Sequence, residues 1–258
     1  MLLLRLLLLF LLIFTCKNAI AKETKILLAS SDYYPHYAHD LVKQGPVSEI
    51  VRQAFLARGI SITIDFLPFA RAYRESLNAH YVALVGGWYS QERAESFYYS
   101  QPLYSNEIVF FKRQNNEIQT TDYQELINKQ LTLGLVQGYI QPKGLQESEF
   151  TYINVAHDEQ AFKMLALGRV DLVPADRLNG LYLIEQRLPE YINEIDYLMP
   201  ALELRPMYLL FSKKDPTSKL LMKEFNNGLA ELKRSGEYTK ILQAHFPIDV
   251  AQSEYQLN

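Results

Sequence analysis

From residue 25 onward the chain alternates short apolar runs with segments of helical period. Lys25-Ile26-Leu27-Leu28-Ala29 is a compact apolar run ending in Ser30-Ser31-Asp32, the pattern of a buried strand entering a loop. Val47, Ile50, Val51, Ala54 and Phe55 fall on one helical face, with Pro46 at its start and Gly59 just past its end. Ser61 to Phe66 alternates like a strand, Ala70 to Leu77 has helical period, and Tyr81 to Val85 is a further strand stopped by Gly86-Gly87. The order β-α-β-α-β predicts an α/β lobe with a largely parallel sheet.

The pattern then restarts. Strands are predicted over Glu107 to Lys112, Gln130 to Val136 and Val170 to Pro174. Between the last two lies a helix that Asp158 can cap and Gly168 can close. Asp176 opens another helix through Leu181, Ile184 and Leu188. A last strand, Met207 to Phe211, precedes two helices, one carrying Leu221, Phe225, Leu229 and Leu232, the other running from Gly236 through Leu242. Two α/β units in tandem, without a Pro/Gly/Ser-rich linker, imply lobes joined by ordered strands, with the terminal helices returning to the first lobe. In open α/β sheets ligands sit at the carboxyl ends of strands. The loops after Ala29, Val85, Val136 and Pro174 are therefore the candidate site.

The first residues set an expected compartment. Arg5 supplies a positive charge, Leu6 to Phe14 is an unbroken run of nine apolar residues, and Ala19-Ile20-Ala21 places small residues where a signal peptidase reads. Nine apolar residues fall well short of the roughly 20 needed to span a bilayer. A signal peptide over residues 1–21 and a periplasmic product are expected; lipidation at Cys16 is the alternative, in a poor Phe14-Thr15 context. Cleavage would remove the one cysteine, and with it any disulfide, thiol nucleophile or thiolate metal site. It would also remove Arg5 and Lys17 but no acid, moving the net charge from −3 to −5. A chain with that balance and no basic block lacks the electrostatic footprint of nucleic-acid binding.

At the candidate loops the chain resembles the family 3 solute-binding proteins, the periplasmic receptors of polar amino-acid transporters. The resemblance rests on Tyr33-Tyr34-Pro35, on Glu92-Arg93 followed by Ser100-Gln101-Pro102-Leu103-Tyr104, and on Gly134-Leu135-Val136-Gln137-Gly138. Gly168-Arg169-Val170-Asp171 with Asp176, and Phe225-Asn226 with Gly236-Glu237-Tyr238, complete it in the family's order. It implies an α/β, two-lobed Venus-flytrap in which residues 22–107 and 208–258 form lobe one and residues 108–207 form lobe two, with crossing strands near 107 and 207. It further implies that Arg93 grips a ligand carboxylate from lobe one and Asp176 takes an ammonium from lobe two. A guanidinium matches a carboxylate bidentately, and an ionised carboxylate is a pure acceptor suited to ammonium donors. Apart from the resemblance, Arg93 equally suits a pair with Glu92 or Glu95 on a solvated turn, and Asp176 a helix N-cap.

Two departures bear on the ligand. The stretch before the arginine is Gly86-Gly87-Trp88-Tyr89-Ser90, and Tyr139-Ile140 stands where relatives usually carry Thr-Thr. Gly86, Trp88, Ser90, Tyr33 and Tyr139 are accordingly candidate ligand contacts, with Tyr34 as a further possible wall, for a pocket taking an apolar, aromatic or cationic group. Arg71 is a second candidate cation near the cleft, but a structural pair with Asp65 or Glu75 is the expectation.

The sequence contains no Gly-x-Ser-x-Gly, His-Glu-x-x-His, P-loop or Gly-x-Gly-x-x-Gly, so no catalytic role and no cofactor is expected. His36 and His39 are read as surface residues of the Tyr37-bearing loop, and no metal site is expected there. The expected product is a monomeric receptor for a small polar solute, an amino acid or a related compound, presented to an inner-membrane permease for ABC-type uptake. A sensory binding protein of the same fold is the alternative, with a periplasmic enzyme such as a dehydratase behind it.

Overall fold

The computed structural model describes residues 26–145 and 147–246. The expected signal peptide, its cleavage after Ala21 and Cys16 lie outside the described residues.

The chain runs β1 (Ile26–Ser30), α1 (Pro46–Leu56), β2 (Ile62–Phe66), α2 (Phe69–Leu77), β3 (Ala83–Trp88), α3 (Gln91–Ser96), β4 (Phe97–Tyr99) and β5 (Tyr104–Arg113). It continues through α4 (Tyr123–Asn128), β6 (Thr132–Val136), β7 (Thr151–Val155), α5 (Asp158–Ala166), β8 (Leu172–Asp176), α6 (Arg177–Arg187) and β9 (Ile195–Tyr197). Last come β10 (Glu203–Ser212), α7 (Ser218–Ser235) and α8 (Glu237–His245).

The strands share one path in the order β2-β1-β3-β10-β5-β8-β6-β7, with β4 beside β10 and β9 beside β5. β1 is parallel to β2 and β3, and β6 is parallel to β7 and β8. Each half is thus the parallel α/β unit its pattern predicts. The halves meet at two long antiparallel strands: Tyr104–Ile108 of β5 pairs with Glu203–Met207 of β10. Beyond that stretch they part company, Met207–Phe211 pairing with β3 and Ile108–Lys112 with β8. The chain therefore crosses from one lobe to the other at β5 and returns at β10.

Both faces of each half-sheet are covered, which is why the strands read as nearly continuous apolar runs rather than as alternating ones. In lobe one, Leu28, Val85, Leu209 and Phe211 face α1, α7 and α8, while Ala29, Leu84 and Leu210 face α2. In lobe two, Val109, Phe111 and Val173 face α5 and α6, while Phe110, Leu133 and Leu172 face α4. The return of the terminal helices to lobe one depends on Gly228: a Cβ there would lie 1.8 Å from the Ala54 carbonyl oxygen, so only glycine lets α7 pack this closely on α1.

The third strand differs from expectation. β3 runs through Gly86-Gly87 to Trp88 because β10 carries its pairing forward, matching Tyr208 with Gly87 and Met207 with Trp88 across a register shift. Gly86 absorbs the irregularity at φ +84°. An unanticipated strand, β7, has four of its five residues exposed at the sheet edge, so it shows no buried alternation to read.

Candidate functional site

The loop after β1 folds on itself through Tyr33 N–H to Tyr37 O (2.7 Å) and Tyr37 N–H to Tyr33 O (3.0 Å). The Tyr37 hydroxyl donates to the Gly86 carbonyl at 3.0 Å, tying this loop to the end of β3. A side chain at position 86 would strike the Tyr37 ring at 2.3 Å, so glycine is required there by both space and φ. Trp88 follows, its indole N–H donating to Asn106 Oδ1 at 2.8 Å. Tyr33 and Tyr139 both meet its ring edge-on, with centroids 6.2 and 6.3 Å away. The Arg205 guanidinium lies 4.8 Å from the ring centroid. Arg205 also donates to the carbonyls of Ile140 and, at 2.9 Å, Gln141, so it holds the 139–141 loop of lobe two against the tryptophan of lobe one.

Ser90 caps α3 by accepting the Arg93 N–H at 3.2 Å. It thereby positions Arg93 and does not line the cavity. One Nη of Arg93 donates to the Trp88 carbonyl at 3.2 Å, and the guanidinium carbon lies 5.6 Å from the ring centroids of both Phe69 and Tyr73. Among the described residues Arg93 forms no ion pair, with Glu92, Glu95 or any other acid.

These elements enclose a cavity of about 640 Å³ at the carboxyl ends of the lobe-one strands. Tyr33, Gly86, Trp88 and Arg93 line it from lobe one, together with the Phe66–Phe69 stretch, and Gly138, Tyr139 and Ile140 close it from lobe two. Of the sequence-derived candidates, the fold gathers Tyr33, Gly86, Trp88, Arg93 and Tyr139 around one space. Tyr34 is not among them; it stacks on Tyr182 of α6 at 5.0 Å and donates to Asp40 at 2.6 Å. Arg71 pairs with neither expected acid: Asp65 accepts from Tyr81, and Glu75 pairs with His80 and Arg74.

Asp176 lies outside the cavity, beside an adjoining void of about 20 Å³ that Tyr33, Trp88 and Tyr139 also border. It caps α6 through the Asn179 N–H (2.8 Å), as its position predicts. Its carboxylate is fully buried and fully engaged. Oδ1 also takes the Nε2–H of His36 at 2.7 Å, and Oδ2 takes the amide of Asn106 at 2.9 Å. His36 is therefore not a surface residue: it is completely buried, bonded to Asp176 on one nitrogen and to the Tyr104 hydroxyl on the other. Burial alone would raise the Asp176 carboxyl. The charge and bond of His36, with the Asn179 and Asn106 donors, outweigh it and hold the group below the ordinary carboxylate value. The pair also joins lobe one to lobe two, reinforced by Asn179 Nδ2 donating to the Tyr34 carbonyl at 2.6 Å. Nothing near His36 in sequence signals this, because its partner lies 140 residues away. Arg205 was equally silent, visible only as the residue before Pro206.

Two lobes linked by crossing strands, with a cavity walled from both, define a bilobal solute-binding protein. The chain belongs to the bacterial extracellular solute-binding proteins, family 3, whose model matches residues 28–248. Solved structures share the fold. A histidine kinase sensor domain with similarity to periplasmic binding proteins matches with a TM-score of 0.74 at 17% identity, over 88% of this chain and 98% of that one. An arginine 3rd transport system periplasmic binding protein from Legionella pneumophila matches at 0.69 and 15%, over 86% and 99%. The GluR0 ligand-binding core from Nostoc punctiforme, in complex with L-glutamate, matches at 0.67 and 18%, also over 86% and 99%. A comparison with curated proteins found no match.

Proposed function

We propose that this protein is an extracytoplasmic solute receptor, exported behind residues 1–21, that binds a small carboxylate solute between its lobes and presents the closed form to an inner-membrane permease. The observation that carries this reading is the cavity itself: about 640 Å³, walled by both lobes, with the unpaired guanidinium of Arg93 in its lining. That volume lies within the roughly 300–1,000 Å³ usual for small-molecule sites. Because the walls belong to different lobes, a solute contacting both has higher affinity for the closed form, which is what drives closure. The units that move are the described parts of residues 22–107 with 208–258, and of residues 108–207. The protein binds without turnover and acts as a monomer.

A sensory role is the second reading, favoured by the likeness to a histidine kinase sensor domain; in that case the closed form engages a membrane sensor instead of a permease. The test is a thermal-unfolding screen against amino acids, organic acids, polyamines and small peptides, with Arg93→Gln alongside. A solute at a hundred times its Kd stabilises the native state by about 2.7 kcal/mol. A carboxylate that shifts the wild type but not the variant supports the receptor. If no solute shifts the wild type, the reading fails.

A further inference from the structure

We infer that the solute is a carboxylate with an apolar, preferably aromatic, body and no ammonium group. This rests on the receptor reading and narrows it. Each carboxylate near the cavity already has a partner. Asp32, at the rim, accepts both the backbone N–H and the ring nitrogen of His39, each at 2.9 Å. Asp158 lies outside the cavity lining and accepts the Tyr139 hydroxyl at 2.8 Å. Asp176, buried at the lobe junction, has both oxygens filled by protein donors, His36 and the Asn179 N–H on Oδ1 and Asn106 on Oδ2. An ammonium brought into this space would lose its hydration and meet only carboxylates already bonded to protein donors, so its desolvation is poorly compensated.

The positive side is opposite in character. Arg93 spends one Nη on the Trp88 carbonyl, leaving Nε and the second Nη for a carboxylate. Phe69 and Tyr73 hold the guanidinium in place through their ring faces. Most of the remaining wall is apolar or aromatic, including Tyr33, Phe66, Leu67, Trp88, Tyr139 and Ile140, with Ser31, Asp32 and His39 as its polar part. One unpaired cation, acids already bonded to protein donors and a largely aromatic enclosure select an arylalkyl or branched alkyl acid over the corresponding α-amino acid.

The test uses matched pairs differing only in the ammonium: 3-phenylpropionate and L-phenylalanine, indole-3-propionate and L-tryptophan, 4-methylpentanoate and L-leucine. L-Arginine, L-glutamate and 2-phenylethylamine complete the panel. Binding to the protein, purified after expression from its full coding sequence, is measured by calorimetry and by thermal shift. At least one des-amino acid is expected to bind tenfold or more tightly than its amino-acid partner, with 2-phenylethylamine inert. Arg93→Gln is expected to weaken that acid at least tenfold. If an α-amino acid binds as tightly as or more tightly than every des-amino acid, the inference is overturned while the receptor reading stands. If the amine binds best, the inference and the carboxylate specificity of the proposed function both fall. If neither this panel nor the wider solute screen produces binding, both fail together.

Discussion

Replacing His36 with alanine isolates the buried link between the lobes. The imidazole and the Asp176 carboxylate are each fully buried and 2.7 Å apart, so the substitution strands a charge that keeps only Asn106 and the Asn179 N–H for partners. Removing one member of such a pair costs about 3–5 kcal/mol. At about 2–4 °C per kcal/mol for a protein of this size, Tm should fall by roughly 6–20 °C. Most of that cost should vanish once the stranded charge is removed. In an Asp176→Asn background, where the amide oxygen still caps α6, His36→Ala should cost less than in the wild type, leaving only the cavity and the lost Tyr104 contact. Urea unfolding of the four proteins of this cycle measures the coupling. Equal cost of His36→Ala in both backgrounds, within about 0.5 kcal/mol, refutes the ion-pair account.

Other consequences follow from single contacts. Gly228→Ala forces a methyl onto the Ala54 carbonyl oxygen and should destabilise by about 1–3 kcal/mol or more, read as a fall in urea midpoint at unchanged m-value. Arg205→Lys cannot both stack on Trp88 and bond two carbonyls; solute affinity measured by calorimetry should fall about tenfold while Tm moves little. Burial would raise the carboxyls of Asp176 and Glu49, but their partners hold both below their ordinary values of 3.8 and 4.5, His36 for the first and Lys43 and His245 for the second. A carboxyl with a lowered folded pKa contributes stability that is present above its unfolded pKa and lost as pH falls through the folded one. Chemical unfolding from pH 6 down to pH 2 should therefore show stability falling below about pH 4.5, less steeply in Asp176→Asn.

Much of the fold was legible because its signals are local. The buried strands around Leu28, Leu133 and Val173 announce themselves as apolar runs, and the helix of Val47 to Phe55 by its period and its flanking Pro46 and Gly59. The exposed edge strand Thr151–Val155 has no buried face, so no periodicity marks it. At the site, residue type and order pointed to Tyr33, Gly86, Trp88, Arg93 and Tyr139, and the fold sets all five around one cavity. Asp176 was expected at a helix start and stands there, though its orientation was not readable; Ser90, expected to touch a ligand, caps α3 instead.

By itself, then, the sequence pointed to the two α/β units, to the loops at their strand ends and to an aromatic site carrying both Arg93 and Asp176. Only the tertiary structure decided which charges remain available to a solute. His36 and Asp176 lie 140 residues apart, and burial at the lobe junction makes them partners. No local pattern encodes a counter-ion supplied from the opposite lobe, because pairing of charges depends on distance and dielectric in the folded state, not on separation along the chain.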